Sequence, residues 1–422
     1  MNSRFTSKAA LRNPQPNFSH KCGFELRRVL RLSFRKGDCP VSIEISRRNL
    51  LKAAGGLGAT SLFGISAVEV AEAATSSSVR FANWLLYLDY DVKGRIYPTL
   101  QNFTRQTHIP VKYLEVIDDN DTFTAKITPQ FRLKRDIGYD IVVLTEWMAS
   151  RWIGGGFVAK FDDSKIPNKK NILPYFLNPP LDPGRHYSLP WAGVIAGFAW
   201  NKKLKPNGIH TMEQLFAPAN KGRVEILSEM TDTIGLIMMW QGVDITKPFH
   251  QDKFMNAIDF MKKMIYDGFI RRVKGQSYQE DLINGDAVAV MGWSGDINQL
   301  NSRKSNQFGF AIPESGGVFS TDVMMIPALS PHKISAEALV NYYYNPVVAA
   351  RLANYINYVC PVAGAQQAME KINPKQLQNK LIFPDANMWK MLHVFRDLSQ
   401  VEQISFANTF QMVSGTTKRG VR

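Results

Sequence analysis

The region after residue 78 alternates short β-rich runs with longer helical patterns, and this alternation limits the possible folds more than any other feature. Between two such runs, Phe254, Ile258 and Met261 recur at helical spacing and give one apolar face. Strands that alternate with helices are typical of the α/β class, in which helices cover a largely parallel sheet. The predicted strands are 79–83, 111–116, 140–144, 195–200, 224–227, 287–291, 308–312 and 323–326.

The N-terminal region has the parts of an export signal. Arg47 and Arg48 precede a mildly apolar stretch at 53–68, and Ala71 and Ala73 supply the small residues of a cleavage site. The arginine pair resembles a twin-arginine signal, which predicts export in the folded state. Residues 1–74 are therefore interpreted as a basic extension plus a signal, either removed or kept as a membrane anchor. An internal amphipathic helix is the alternative.

The positive net charge is concentrated in this same region. The chain carries +15 overall, and residues 1–52 hold twelve Lys or Arg against three Asp or Glu. The remaining basic residues form no long run and no basic-aromatic repeat, so the sequence argues against nucleic-acid binding.

Cysteine and histidine spacing excludes several kinds of site. Of the three cysteines, only Cys360 follows the signal, so the exported chain has no internal disulfide. No zinc-ligand spacing, phosphate loop or His-Glu-x-x-His motif occurs, and we expect neither a metal nor a cofactor. We also expect no catalytic residues. An exported hydrolase that uses Glu229 and Asp232 as an acid/base pair is the alternative from another class.

Acidic and aromatic residues cluster at the ends of the predicted strands, where open α/β sheets bind their ligands. Acids gathered at one place in a positively charged protein suggest a cationic ligand, and aromatic faces suit its methylene stem and ammonium groups. The cluster contains Trp84, Tyr87, Asp89, Thr145, Glu146, Trp147, Ser228, Glu229, Thr231, Asp232, Trp293, Asp296 and Asp322.

Each of these residues also has an ordinary structural role open to it. The tryptophans could be core or rim aromatics, and Glu229 and Asp232 could be charges favoured by a helix dipole. Asp296 could cap a helix, Asp89 could belong to a turn, and Glu146 could be solvated.

Several short runs stand in a characteristic order and spacing, and they begin at Phe81-Ala82-Asn83-Trp84, Tyr139-Asp140-Ile141, Asp182-Pro183-Gly184, Tyr187-Ser188-Leu189-Pro190-Trp191, Leu227-Ser228-Glu229, Gly292-Trp293-Ser294-Gly295-Asp296, Pro313-Glu314-Ser315, Asn357-Tyr358-Val359-Cys360-Pro361 and Phe383-Pro384-Asp385. In these runs the chain resembles the spermidine/putrescine-binding subfamily of extracellular solute-binding proteins, which feed ABC importers. The resemblance implies a periplasmic-binding-protein-like fold, in which two α/β lobes joined by crossing strands close over a ligand in the cleft.

The resemblance also implies a division of the chain and a set of partners. Lobe 1 is expected at 75–196 and 322–366, lobe 2 at 197–321 and 367–415, and a tail at 416–422. The implied partners are a polyamine, putrescine or spermidine, and the membrane permease of an ABC transporter. We expect a monomer that works outside the cytoplasmic membrane, in the periplasm or at the cell surface.

Carried over by position, the family's site gives carboxylate anchors, an aromatic box and one small polar contact. Ser320 stands where the family usually has a stacking tryptophan, and Phe395 replaces a polar contact, so one wall of the cleft is expected to be thinner. A cationic amino acid, an opine or thiamine therefore remains an alternative ligand. The implied ligand-binding residues are Trp84, Tyr87, Thr145, Trp147, Glu229, Asp232, Trp293, Asp322 and Tyr358.

Overall fold

A computed structural model of the chain describes residues 30–36, 39–45, 78–303 and 306–415. The chain divides into two compact units, Met1–Ala59 and Thr60–Arg422. In the first unit, strands β1 (Leu30–Lys36) and β2 (Cys39–Ile45) pair antiparallel. The predicted twin-arginine signal and the predicted tail lie outside the described residues.

The second unit is built on one ten-stranded sheet. Its strands are β3 (Val79–Trp84), β4 (Val111–Ile117), β5 (Ile141–Thr145), β6 (Leu189–Asn201), β7 (Val224–Leu227), β8 (Ile270–Lys274), β9 (Ala289–Trp293), β10 (Phe308–Ala311), β11 (Gly317–Met325) and β12 (Leu392–Val394).

Helices pack around this sheet. They are α1 (Pro98–Thr107), α2 (Asn120–Arg132), α3 (Glu146–Gly154), α4 (Met212–Leu215), α5 (Met230–Trp240), α6 (Gln251–Tyr266), α7 (Tyr278–Asn284), α8 (Ser294–Arg303), α9 (Lys333–Tyr343), α10 (Pro346–Ile356), α11 (Ala365–Ile372), α12 (Ala386–Trp389) and α13 (Gln400–Ser414).

Two long antiparallel strands join two parallel groups in the sheet. The strand order is β4-β3-β5-β11-β6-β9-β7-β8, with β10 beside β6 and β12 beside β11. Strands β3, β4 and β5 are parallel, as are β7, β8 and β9, whereas β11 runs antiparallel to both β5 and β6. The two groups therefore run in opposite directions, on either side of the β11–β6 pair. The predicted lobe boundaries stay a prediction.

The sheet confirms the predicted α/β class and most of the predicted strands. The strand predicted at 224–227 has those bounds as β7, and Asn345 caps α10 with Pro346 at its first position, as the sequence indicates. Strand β11 begins at Gly317, six residues before the predicted strand at 323–326, and β6 extends the strand predicted at 195–200 in both directions. Strands β8 and β12 were not predicted.

Two irregularities in strand register occur where the sheet meets the cavity described below. The pairing of β3 with β4 shifts between Asn83 and Trp84, and the pairing of β11 with β6 shifts between Asp322 and Val323. Such bulges bend a strand and change the direction of the side chains beside it.

Candidate ligand-binding site

Residues from both parallel groups of strands line one cavity, which we call the central cavity. Its empty space, part of which is open to solvent, amounts to about 350 Å³. The lining residues are Trp84, Tyr87, Thr145, Val194, Glu229, Asp232, Gln276, Trp293, Ser320, Asp322 and Tyr358. The structure thus brings together eight of the nine residues implied by the resemblance.

Asp322 lies inside β11 at the bulge, rather than just before a strand as predicted. The hydroxyl of Tyr87 donates to Oδ2 of Asp322 at 2.8 Å, and the hydroxyl of Thr145 donates to Oδ1 at 2.9 Å. Burial raises the pKa of Asp322 to about 6 although these two donors oppose the shift. Each carboxylate oxygen is therefore oriented by one neutral donor and keeps further capacity to accept.

Glu229 occupies the N-cap position of α5, but its side chain does not cap the helix. Its two oxygens instead accept from Nδ2 of Asn120 at 2.9 Å and from Nε1 of Trp147 at 3.1 Å. Burial, followed by the nearby carboxylates of Asp119 and Asp232, raises the pKa of Glu229 well above its usual range. Glu229 thus lies at a helix N-terminus, where the dipole favours a negative charge as the alternative interpretation expected, and its side-chain hydrogen bonds join that helix to Asn120 and Trp147.

Asp232 follows in the first turn of α5 and is 4% exposed. Nε1 of Trp293 donates to its Oδ2 at 2.7 Å. Burial raises the pKa of Asp232 to about 7, and the charge of Asp322 adds to the shift. Asp322 lies in β11 and Asp232 lies in the helix that follows β7, and the two carboxylates influence each other across the cavity.

The three carboxylates have no basic partner in the part of the chain that the structure describes. Their donors are hydroxyl, amide and indole groups, and burial is the largest cause of each raised pKa. Ionised carboxylates buried without a counter-charge are strongly unfavourable, so they either bind protons or require a cation. The cavity is consequently suited to a cationic group.

The aromatic residues form the walls of the central cavity. The rings of Trp84 and Trp293 lie 6.5 Å apart between centroids, and those of Tyr87 and Tyr358 lie 4.9 Å apart, both edge to face. Nε1 of Trp84 is buried without a hydrogen-bond partner among the described residues. The two rings of each pair are in contact, so each pair forms a continuous aromatic surface that can pack against an alkyl chain and attract ammonium groups.

Asp296 lies beneath this wall and supports it. Its oxygens accept from Tyr358 at 2.7 Å, from Gln276 at 3.0 Å and from Tyr278 at 3.0 Å. A Cβ at Gly295 would lie 2.1 Å from ring carbons of Tyr358, so glycine lets this ring pack against the start of α8. The sequence run around Trp293 therefore serves to position Tyr358.

Asn120 and Gln276 are polar residues of the site that sequence reasoning missed. Nδ2 of Asn120 donates to both Thr145 and Glu229, which links the ends of β5 and β7. Oε1 of Gln276 is buried without a partner among the described residues, beside the central cavity. Gln276 follows β8, so recognising that strand would have pointed to it, and Asn120 follows β4 by three residues.

Trp147 lies outside the central cavity, although its indole contacts Glu229. It lines a second space of about 850 Å³, which we call the side chamber. Ser320 and Phe395, the two positions that depart from the family pattern, also line the side chamber. Glu146, which could have been solvated, pairs there with the buried Arg185 at 2.5 Å.

Asp89 lies outside the central cavity, and its Oδ2 accepts from the backbone N–H of Thr99 at 3.0 Å. In the described part of the chain, no group of three or more His, Cys, Asp or Glu side chains is placed to hold a metal ion. None of the helices within that part is both long and apolar enough to cross a membrane.

Comparison with known proteins gives a family, two curated relatives and a fold. The model of a family described as bacterial extracellular solute-binding protein matches residues 99–382, which is more than half of the chain. The chain is 27% identical over 347 residues to the spermidine/putrescine-binding periplasmic protein of Escherichia coli, covering 81% of this chain and 91% of the relative. It is 26% identical over 352 residues to the putrescine-binding periplasmic protein PotF of the same organism, covering 79% and 90%.

A solved structure resembles the chain over a similar extent. The spermidine/putrescine ABC transporter substrate-binding protein PotD of Streptococcus pneumoniae superposes with a TM-score of 0.64 at 22% identity. The match covers 81% of this chain and all of the other. This likeness confirms the predicted periplasmic-binding-protein-like fold.

Proposed function

This chain belongs to the bacterial extracellular solute-binding protein family, and we propose that it captures a di- or polyamine and delivers it to the permease of an ABC importer. Putrescine and spermidine are the ligands for which the curated relatives are named. No bond is made or broken in this role.

The observation that carries the proposal is the set of three buried carboxylates around one cavity. Glu229, Asp232 and Asp322 are 4%, 4% and 6% exposed and have only neutral hydrogen-bond donors among the described residues. An ammonium group supplies the missing counter-charge. Its N–H groups can donate to the carboxylate lone pairs that the neutral donors leave free. The unpartnered Oε1 of Gln276 offers a further acceptor.

The aromatic walls complement the other part of such a ligand. When the methylene stem of a diamine packs against Trp84, Trp293 and the tyrosines, apolar surface is removed from water, which favours binding. Charge-assisted hydrogen bonds together with this burial can supply roughly −8 to −10 kcal/mol, which corresponds to a dissociation constant near the micromolar range or below.

The location is part of the same proposal. The curated relatives are named as periplasmic proteins. The arginine pair and the Ala-x-Ala site are consistent with export through the twin-arginine route, followed either by release into the periplasm or by retention at the membrane. We expect the exported protein to act as a monomer that docks on the permease once its ligand is bound.

The test of the proposal compares ligands of the same length with and without charge. Tryptophan fluorescence of the purified protein is titrated with putrescine and with butane-1,4-diol, which keeps the four-carbon stem but lacks both ammonium groups. Saturable binding of putrescine, with no response to the diol, is the expected result. Equal responses to both compounds, or none to putrescine and spermidine, would contradict the proposal.

A further inference from the structure

The side chamber adjoins the central cavity at two small residues. Ser320 and Thr145 line both spaces. Ser320 lies two residues before Asp322 in β11, and because side chains in a strand alternate between faces, the two share a face. The bulge lies beyond Asp322, so it does not interrupt this alternation. The side chain that β11 places at the junction is therefore the small hydroxymethyl group of Ser320.

The inner part of the side chamber is largely apolar. Phe319, Phe395 and Phe410 are among its lining residues, and they are 1%, 9% and 3% exposed. Met230 and Val318 add further apolar surface. A group that enters from the central cavity therefore meets mainly aromatic and aliphatic side chains, whose contact favours an uncharged group.

Most charged residues of the side chamber have an ion-pair partner, either in the chamber or beside it. Asp121 pairs with Arg151 at 3.0 Å, and Glu146 pairs with Arg185 at 2.5 Å. Arg396 pairs with Glu402 at 2.5 Å. Asp397 is exposed. These carboxylates differ from the three of the central cavity, which lack basic partners, so the chamber offers little to a second buried ammonium group.

We propose that the protein takes amines that carry a bulky uncharged arm, with the ammonium groups in the central cavity and the arm passing Ser320 into the side chamber. This inference rests on the proposed function and narrows its ligand class to N-alkyl or N-arylmethyl diamines. The charged stem lies in the central cavity, and the ring lies in the larger side chamber, among apolar residues such as Phe319 and Phe395.

The test uses variants that fill the side chamber from α13, away from the carboxylates. Ala407 and Gln403 line the chamber, whereas Asn408 is exposed on the same helix. Calorimetric titrations with putrescine and with N-benzylputrescine are run on the wild type, on Ala407→Trp and Gln403→Trp, and on the control Asn408→Trp. N-Benzylputrescine keeps two ammonium groups, so only the arm distinguishes the probes.

The expected result is selective. The wild type binds N-benzylputrescine at least as tightly as putrescine, and at least one of the two filling variants weakens N-benzylputrescine tenfold or more while putrescine changes by less than twofold. Retained putrescine binding shows that a variant is folded. If the wild type binds putrescine but binds N-benzylputrescine tenfold more weakly, or if neither filling variant discriminates, this inference fails and the proposed function stands. If neither amine binds, both fail.

Discussion

The hydroxyl of Tyr87 donates to Oδ2 of Asp322 at 2.8 Å, and these two residues are 235 positions apart in the chain. Tyr87 follows the first strand of one parallel group, whereas Asp322 lies in the long strand that joins the groups. The bond, together with that from Thr145, fixes the carboxylate without neutralising it. A fixed carboxylate loses little further freedom when a cation binds, which favours affinity.

Removal of this charge is expected to weaken amine binding. Asp322→Asn keeps the shape and a hydrogen-bond acceptor but removes the negative charge, so the affinity for putrescine should fall more than tenfold. Asp252→Asn, a change at an exposed position in the first turn of α6, is the matched control and should leave the affinity unchanged. Calorimetric titration measures both, and an unchanged affinity for Asp322→Asn would remove this residue from the site.

Amine binding is expected to release protons near neutral pH. The ligand-free pKa values of Asp232 and Asp322 are raised to about 7 and about 6, and that of Glu229 is raised as well. A bound ammonium group favours the ionised forms and lowers these pKa values. Affinity should therefore fall as the pH is lowered from 8 to 5. Titrations at pH 6.5 in buffers of different ionisation enthalpy should show net proton release, whereas a pH-independent affinity over this range would contradict the electrostatic description.

The burial of Asp232 is expected to destabilise the ligand-free protein when its carboxylate is ionised, although that ionised form is the one that binds an amine. Because folding raises its pKa from 3.8 to about 7, its contribution to stability is full below pH 4 and is lost as the pH rises through 7. Asp232→Asn should therefore increase the free energy of unfolding of the ligand-free protein at pH 8, by an amount on the order of 2 kcal/mol, and have little effect at pH 4. Urea denaturation at both pH values measures this difference. If Asp232→Asn instead lowered the free energy of unfolding at pH 8, other groups in the protein would have to stabilise the buried charge of Asp232.

Trp147 is expected to act on the ligand through Glu229. Trp147→Phe keeps an aromatic ring but removes the indole N–H that donates to Oε2 of Glu229. The pKa of Glu229 should rise further, so putrescine affinity should fall several-fold at pH 7 and recover toward the wild-type value at pH 8.5. Trp240→Phe is the matched control, because it also removes an indole N–H bonded to a glutamate, Glu213, outside the site. A loss that is the same at both pH values would indicate a packing role instead.

The sequence predicted the carboxylates of the site because they follow strands that apolar runs make visible. Glu229 and Asp232 follow β7, whose bounds were predicted, and Trp293 ends β9. Gln276 was missed because β8 contains two arginines and a lysine and only one of its five residues is buried, so it gives no apolar run. Asp322 was placed before a strand because this part of β11 contains Gly317 and Asp322 itself, two residue types that are depleted in strands.

The convergence of the two strand groups could not be read from local patterns. The groups run in opposite directions, yet Thr145 at the end of β5 and Asp232 after β7 line the same cavity. Their meeting depends on the pairing of β6 with β11, and strand pairing over such distances has no local signature. The resemblance to a known family implied that both groups of strands contribute to one cleft. It also implied that Tyr358 belongs to the site, which the residues at the strand ends did not indicate.

Binding of an amine by the three uncompensated carboxylates can be measured by calorimetric titration. The purified protein is titrated with putrescine and with spermidine at two salt concentrations. We expect saturable one-to-one binding of at least one of these amines, with a dissociation constant near the micromolar range or below. The affinity should fall at higher salt because the interaction is electrostatic. A folded protein that binds neither amine, or one whose amine affinity does not depend on salt, would contradict the claim.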